Sequence, residues 1–167
     1  MVAGAVGLVG YLGLWGGCQP YACAAVAIAG VQGRLVCNLI DGMVATEHGR
    51  GRRDGAFWNE FPDRITDTML LWGFGLALGQ GTLGVWVALA AMGTAYIRLL
   101  GVTCGTKAYF SGPFAKQQRM AYLTVATVVM AIFPLKAWGA WIVGVLLAGT
   151  ITTATVRAGK ILKELNA

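Results

Sequence analysis

Six of the seven carboxylates in this sequence fall between Asp41 and Asp67, and their spacing is helical. Asn38 and Asp41 are three residues apart, so on a helix they share one face. Asn59, Asp63 and Asp67 recur at every fourth residue and share one face of a second helix. At about 1.5 Å per residue, Asp67 lies roughly 12 Å along the axis from Asn59, which takes it into a membrane span. Ionisable groups inside a span are costly and mark a cavity, a partner or an ion. Carboxylates converging from two helices repel unless a cation lies between them. The donors here are oxygens, with His48 the one histidine. That set suits Mg²⁺, Mn²⁺ or Ca²⁺ better than zinc, and Mg²⁺ shares its shell with substrate phosphate.

A plainer reading covers some of these residues. Asn59 as a cap, Glu60 and Asp63 in a first turn and Pro62 beside them also describe a helix N-terminus. Arg64 would then neutralise Asp63 or Glu60. That leaves Asp67, deeper in the span, and Asp41, on the neighbouring one, without an account.

The elements that must position these groups are apolar. The chain is 57% hydrophobic and 12% charged, with a mean hydropathy of +0.65. Soluble domains carry about a quarter charged residues, so much of this chain is solvated by lipid. Six apolar segments are legible, near 2–16, 20–45, 59–78, 83–103, 119–135 and 138–157, followed by a polar tail from Arg157 to Ala167. They predict an all-α integral membrane protein of six transmembrane helices, one domain over 1–167. A 13-residue connection, 46–58, lets the second and third spans fold antiparallel with their polar faces together.

Basic residues set the orientation. Arg50, Arg52 and Arg53 fall in the 46–58 loop, Lys107 and Lys116 in the 104–118 loop with Arg119 just after it, and Arg157, Lys160 and Lys163 in the tail. The alternate turns carry only Lys136. Positive charge accumulates on the cytoplasmic side, so both termini are expected there. The net charge of +6 sits at helix ends, which points to anionic lipid headgroups or phosphate-bearing substrates and away from nucleic acid. Cys18, Cys23, Cys37 and Cys104 have no metal-site spacing and suggest no disulfide framework; they read as small apolar residues in helices. The first basic residue is Arg34, so no secretory leader is evident, and a start inside an apolar segment suggests that a short N-terminal piece is missing.

The acidic stretch resembles the signature of the CDP-alcohol phosphotransferase family, D-x2-D-G-x2-A-R-x8-G-x3-D-x3-D. Here it reads Asn38-x2-Asp41-Gly42-x2-Ala45-Thr46-x8-Gly55-x3-Asn59-x3-Asp63, with every spacing kept. The run Gly112–Arg119 resembles the basic stretch found before the fifth span in that family. The resemblance implies transfer of a phosphatidyl or other substituted phosphoryl group from a CDP-linked lipid donor to a small alcohol, with release of CMP. It implies Mg²⁺ or Mn²⁺ as cofactor, with Ca²⁺ as a non-productive substitute, and a homodimer in the bacterial inner membrane with its site facing the cytoplasm. Asp63 carries over as the catalytic base and a metal ligand, and Asp41 as a metal ligand. Gly42, Ala45, Thr46 and Gly55 would line the donor nucleotide. Arg98, Lys116 and Arg119 would hold donor phosphates or a phosphorylated acceptor, their plainer role being positive-inside anchoring. The sequence departs from the signature at Asn38, Asn59 and Thr46. An asparagine can ligate through its carbonyl oxygen but brings no charge, and Asp67, Glu60 or Glu47 would have to compensate. With Asn at the first and third acid positions, the chain resembles a variant subfamily of that family.

Two other functions fit the same residues. One is a cation- or proton-coupled transporter using Asp41 and Asp67, although transporters of that kind carry internal repeats and none is visible here. The other is an inactive relative that binds nucleotide without turnover.

Overall fold

A computed structural model describes residues 1–47 and 55–166; the side chains of Asn38, residues 41–47, Gly55, Ala56 and Asn59 lie outside the described set. The described residues form six α-helices and no strand: α1 (Val2–Trp15), α2 (Pro20–Glu47), α3 (Gly55–Ala77), α4 (Gly81–Thr103), α5 (Lys116–Ile132) and α6 (Gly139–Leu165). A single 3₁₀ turn, Leu135–Trp138, leads into α6.

The apolar segments become helices because glycine turns punctuate them. At the ends of α3 and α4, Gly79 and Gly105 take φ of +73° and +91°, a region that costs other residues energy. The Gln80 and Thr106 amides then reach back to the Gly75 and Gly101 carbonyls at 2.7 and 3.0 Å, closing the orphan acceptors of each helix end.

Three stretches are long and apolar enough to cross a bilayer: Pro20–Cys37, Gly81–Thr103 and Leu135–Leu165. Of the other three helices, α1 is apolar but has 14 residues, roughly 21 Å against a hydrocarbon core of about 30 Å. Helix α5 has 17 residues, and α3 carries Glu60, Asp63, Arg64 and Asp67 within its first 13 residues.

Two local expectations fail. Asn59 does not cap α3, since the helix already runs from Gly55 and Pro62 stands inside it. Pro62 therefore leaves an i−4 carbonyl without its amide, a cost the N-terminal reading had removed. The polar tail is not separate, because α6 continues to Leu165. Its last turns are built of strong helix formers, with Lys163 placed where the helix dipole favours a cation.

Helices are not packed in chain order. Helix α1 lies against both α2 and α3, α3 against α4, α4 against α6, and α5 against α2. Side chains complete the circle between α5 and α6, where the Tyr122 hydroxyl donates to the Ile142 carbonyl at 2.9 Å. Between the described residues of α2 and α3 the backbone approach is sparse, because α1 stands between them. The core gathers Tyr11, Val31, Leu70, Phe74, Leu123 and Leu146, with Tyr11 edge-on to Phe74 and hydrogen-bonded to Thr127 at 3.0 Å.

Candidate functional site

At one end of the bundle, four helices converge on a group of charged side chains. Asp63 on α3 stands at its centre. Its Oδ1 lies 2.6 Å from Arg34 Nη2 on α2, and its Oδ2 accepts a hydrogen bond from Lys116 Nζ at the start of α5. The Arg64 guanidinium is 3.9 Å away and also meets the Glu60 carboxylate at 3.2 Å, one turn back on the same helix. Glu60 Oε1 accepts a charged hydrogen bond from Arg98 of α4, whose guanidinium lies over the Phe110 ring at 4.9 Å. Asp67, one turn deeper than Asp63, is 3% exposed. Its nearest cation is Arg34 Nε at 3.6 Å, and among the described residues neither carboxylate oxygen accepts a hydrogen bond. Arg119, 2% exposed, donates to the Phe114 carbonyl at 2.9 Å, and its charge acts on Asp67, Arg64 and Arg157.

The cluster therefore sets Arg34, Arg64, Arg98, Lys116 and Arg119 against Glu60, Asp63 and Asp67. That is an excess of two positive charges among the described residues. Buried like charges are stable only with counter-charge, and the side chains of Asp41, Glu47 and Asp54, three further acids of this region, lie outside the described residues.

The loop 104–115 that delivers Lys116 is held by α6. Arg157, buried in mid-helix, donates to the carbonyls of Thr94, Phe110 and Ser111, each at 3.0 Å. Lys160 Nζ donates to Ser111 Oγ at 2.8 Å, and the Phe114 amide to Thr153 Oγ1 at 2.9 Å. Glu164 accepts from the Tyr109 hydroxyl at 2.6 Å and from the Lys107 amide at 3.4 Å. Three turns of α6 thus hold one loop, so Lys116 approaches Asp63 from a fixed direction.

Beside the charged group, an apolar cavity of about 430 Å³ opens between α1, α3 and α4. Phe61, Ile65, Met69 and Trp72 line it at helical spacing along α3, with Arg64 at its charged end. One face of α3 thus carries Asp63 and Asp67, and another borders an apolar cleft.

Of the residues singled out in the sequence, Asp63, Asp67, Arg98, Lys116 and Arg119 are brought together. Asn38, Asp41, Gly42, Ala45 and Thr46 are on the last turns of α2, and Gly55 and Asn59 on the first turns of α3, but their side chains lie outside the described residues. His48 and Asp54 lie outside as well. Among the described residues no three of His, Cys, Asp and Glu cluster as a metal site requires. What remains for a cation is the hard-oxygen pair Asp63 and Asp67 on one face of α3, the second of them with no hydrogen-bond donor. Those donors suit Mg²⁺ or Mn²⁺ in chemistry, and the other half of the expected shell belongs to α2.

Two residues of this arrangement, Arg34 and Arg157, are not among the sequence candidates. Arg34 stands four residues before Asn38 and seven before Asp41, so it shares their helix face. That spacing was a usable signal. Arg157 counts in the sequence as one basic residue of the polar tail that sets orientation, and nothing in the local sequence shows that its guanidinium turns inward.

Comparison with known proteins adds a membrane relative. No protein-family model matches the sequence, and no solved structure matches it. The chain is 30% identical over 109 residues to a protein described as inner membrane protein YnbA of Escherichia coli (strain K12), a match covering 65% of this chain. The match covers 53% of that protein, so the chain spans about half the length of the curated relative it matches. With three helices long and apolar enough to span, this similarity supports the conclusion that the chain is an all-helical integral membrane protein.

Proposed function

We propose that the chain is a divalent-metal-dependent transferase that moves a phosphatidyl group from a CDP-linked lipid to a small alcohol and releases CMP. The observation that carries this reading is Asp63, a carboxylate on a membrane helix held between Arg34 and Lys116 inside a group of side chains with excess positive charge. The signature spacing through Asp41 and Asp63 supports it. So does the apolar cleft beside Arg64, which suits a donor with acyl chains. In this reading all six helices cross the membrane, both termini and the charged end face the cytoplasm, and the charged end meets the inner leaflet.

The chain's own residues divide the work. Lys116, Arg98 and Arg119 bind the phosphate oxygens of the donor and of a phosphorylated acceptor. Lys116 donates to Asp63 Oδ2. A substrate phosphate that draws Lys116 away frees this oxygen, while Arg34 keeps the carboxylate in place through Oδ1. Asp63 then takes the proton of the acceptor hydroxyl as its oxygen bonds to phosphorus and the bond from phosphorus to the CMP oxygen breaks. Asp41 and Asp63, with Asn38, Asn59 and Asp67, would hold a divalent ion, which supplies charge neutralisation at the donor pyrophosphate. Arg64, at the mouth of the apolar cleft, orients the lipid end.

A CMP-release assay on the purified protein tests the proposal. CDP-diacylglycerol is offered with glycerol 3-phosphate, inositol, inositol phosphate or serine, with and without Mg²⁺ or Mn²⁺. Metal-dependent CMP release with one acceptor is expected. Nucleotide binding without release, across all acceptors, would instead establish the binding-only reading, which the cation excess and the uncharged Asn38 and Asn59 favour. Ion flux in vesicles without CMP release would establish the transporter.

A further inference from the structure

We propose that Cys18 and Cys23 form an oxidisable thiol pair that closes into a disulfide across the turn between α1 and α2, at the end of the bundle opposite the charged site. Nothing in the transfer reaction is needed for this inference.

The geometry begins with how α2 starts. The Cys23 amide donates to the Gln19 carbonyl at 3.1 Å, which makes Gln19 the N-cap, Pro20 the first helical residue and Cys23 the fourth. Cys18 is then the residue before the cap. Side chains at these two positions pack against each other across a helix entry, an arrangement normally filled by apolar residues. Here both are thiols. The Cys18 amide also returns to the Gly13 carbonyl at 3.0 Å, which holds Cys18 over the end of α1.

The side chains meet as this backbone requires. A Cβ added at Gly13 would stand 3.3 Å from the Cys23 Cβ and 3.9 Å from the Cys18 Cβ, so both cysteines border the small gap that glycine leaves. The Cys23 sulfur itself lies 2.5 Å from the place a Gly13 Cβ would take, so it points into the gap that Cys18 borders. A disulfide needs Cβ atoms about 3.5–4.5 Å apart, and the turn between the residues is short enough to adjust. Cys18 is exposed and Cys23 partly so, which leaves the pair open to exchange.

Placement supplies the driving force. At the other end of α1, Gly4 packs on Thr66 of α3, next to Asp67, so the α1–α2 turn is remote from the cations. With the basic end in the cytoplasm, this turn faces the opposite, oxidising side. Cys37 lies in the second half of α2 and Cys104 follows the last residue of α4, both away from the α1–α2 turn. The step is thiol–disulfide exchange with an external protein or small-molecule disulfide. The Cys18 thiolate attacks one sulfur of that disulfide and releases the first thiol. The Cys23 thiolate then attacks Cys18 Sγ, forming the intrachain bond and releasing the second. The chain loses two electrons and two protons, and both pass to the reduced donor. The closed bond ties the entry of α2 to the end of α1, where Gly13 already lets the two helices touch.

The test uses the full chain in its native membrane with Cys37→Ser and Cys104→Ser, leaving only the pair. Membranes are isolated in N-ethylmaleimide, then reduced and treated with polyethylene-glycol maleimide. Two added labels per chain are expected after reduction and none without it. In a further Cys18→Ser variant, Cys23 should be blocked by N-ethylmaleimide before reduction, giving no added label. Blocking of both thiols before reduction overturns the inference, as does a disulfide joining two chains on a non-reducing gel.

Discussion

Arg34 of α2 and Asp63 of α3 meet at 2.6 Å, although the helices that carry them touch only sparsely and α1 stands between them. The long guanidinium side chain spans a gap that no backbone contact closes. It also reaches Asp67 one turn deeper, so a single arginine serves two carboxylates of the same helix face. Both groups of the Arg34–Asp63 pair are largely out of solvent, which makes the loss of either partner expensive.

Removing Arg34 should therefore cost more than a surface ion pair. Arg34→Met leaves Asp63 with Lys116 and Arg64, and Asp67 without its nearest cation. A loss of about 3–5 kcal/mol is expected, the usual range for breaking a buried pair. Thermal unfolding in detergent checks it, and Arg34→Met with Asp67→Leu should recover part of the loss. If the double variant is no more stable than the single, the Arg34–Asp67 coupling is absent.

Asp63→Asn keeps the shape of the side chain but removes the proton acceptor. CMP release should fall by about 10²–10⁴, the range for loss of a general base, with CDP-lipid binding retained. Asp41→Ala should abolish release through the metal. Full activity in either variant removes that residue from the mechanism.

The excess positive charge bears on metal affinity. Without nucleotide, Mn²⁺ should bind at one tight site at most, because Asn38 and Asn59 contribute no charge and the cations repel a second ion. Adding CDP should strengthen binding as its phosphates join the shell. Paramagnetic titration of the purified protein, with and without CDP, reads the stoichiometry. Two equally tight sites in the absence of nucleotide would contradict this account.

Tyr109 gives the anchored loop a pH signature. Glu164 accepts its hydrogen bond, which with some burial and the carboxylate charge pushes the phenol above its ordinary value. The folded chain thus holds this proton more tightly than the unfolded one. The contribution is complete below about pH 10 and is lost as pH rises through the folded value. Absorbance titration at alkaline pH, as the difference between the wild type and Tyr109→Phe, should place Tyr109 higher than the same difference measured in a Glu164→Gln background. Equal positions would show that Glu164 does not hold the loop.

Close packing of α1 on α2 can be tested at glycine. A Cβ at Gly30 would run into the Gly7 backbone and stand 2.7 Å from the Ala3 carbonyl oxygen, so Gly30→Ala should destabilise by about 1–3 kcal/mol. Gly93, with nothing within 4 Å of a Cβ, is the control. Gly93→Ala should stabilise α4 by about 0.5–1 kcal/mol. Opposite shifts in thermal midpoint are the expected result, and a tolerated Gly30→Ala would rule out the close approach.

Much of the architecture was legible in the linear chain. All six helices appear where apolar runs of helical length lie between glycine, proline and polar turns, because helix formation and its termination depend on near neighbours. The grouping of Asp63 with Asp67 followed from four-residue spacing for the same reason. The failures share a different cause. Pro62 and Asn59 form a good start signal locally, but α3 extends past them toward Gly55. Which helices touch, and which cation meets which carboxylate, depends on three-dimensional packing. The glycines of α1 admit that helix between α2 and α3, so consecutive helices are separated and Arg34 must bridge them. Nothing in the residues near Arg157 shows that it faces two loop carbonyls and one of α4, and nothing near Cys18 shows that Gly13 leaves room beside it. Spacing along one helix sets which side chains share a face, whereas the partner of each face is chosen by shape and charge from distant parts of the chain.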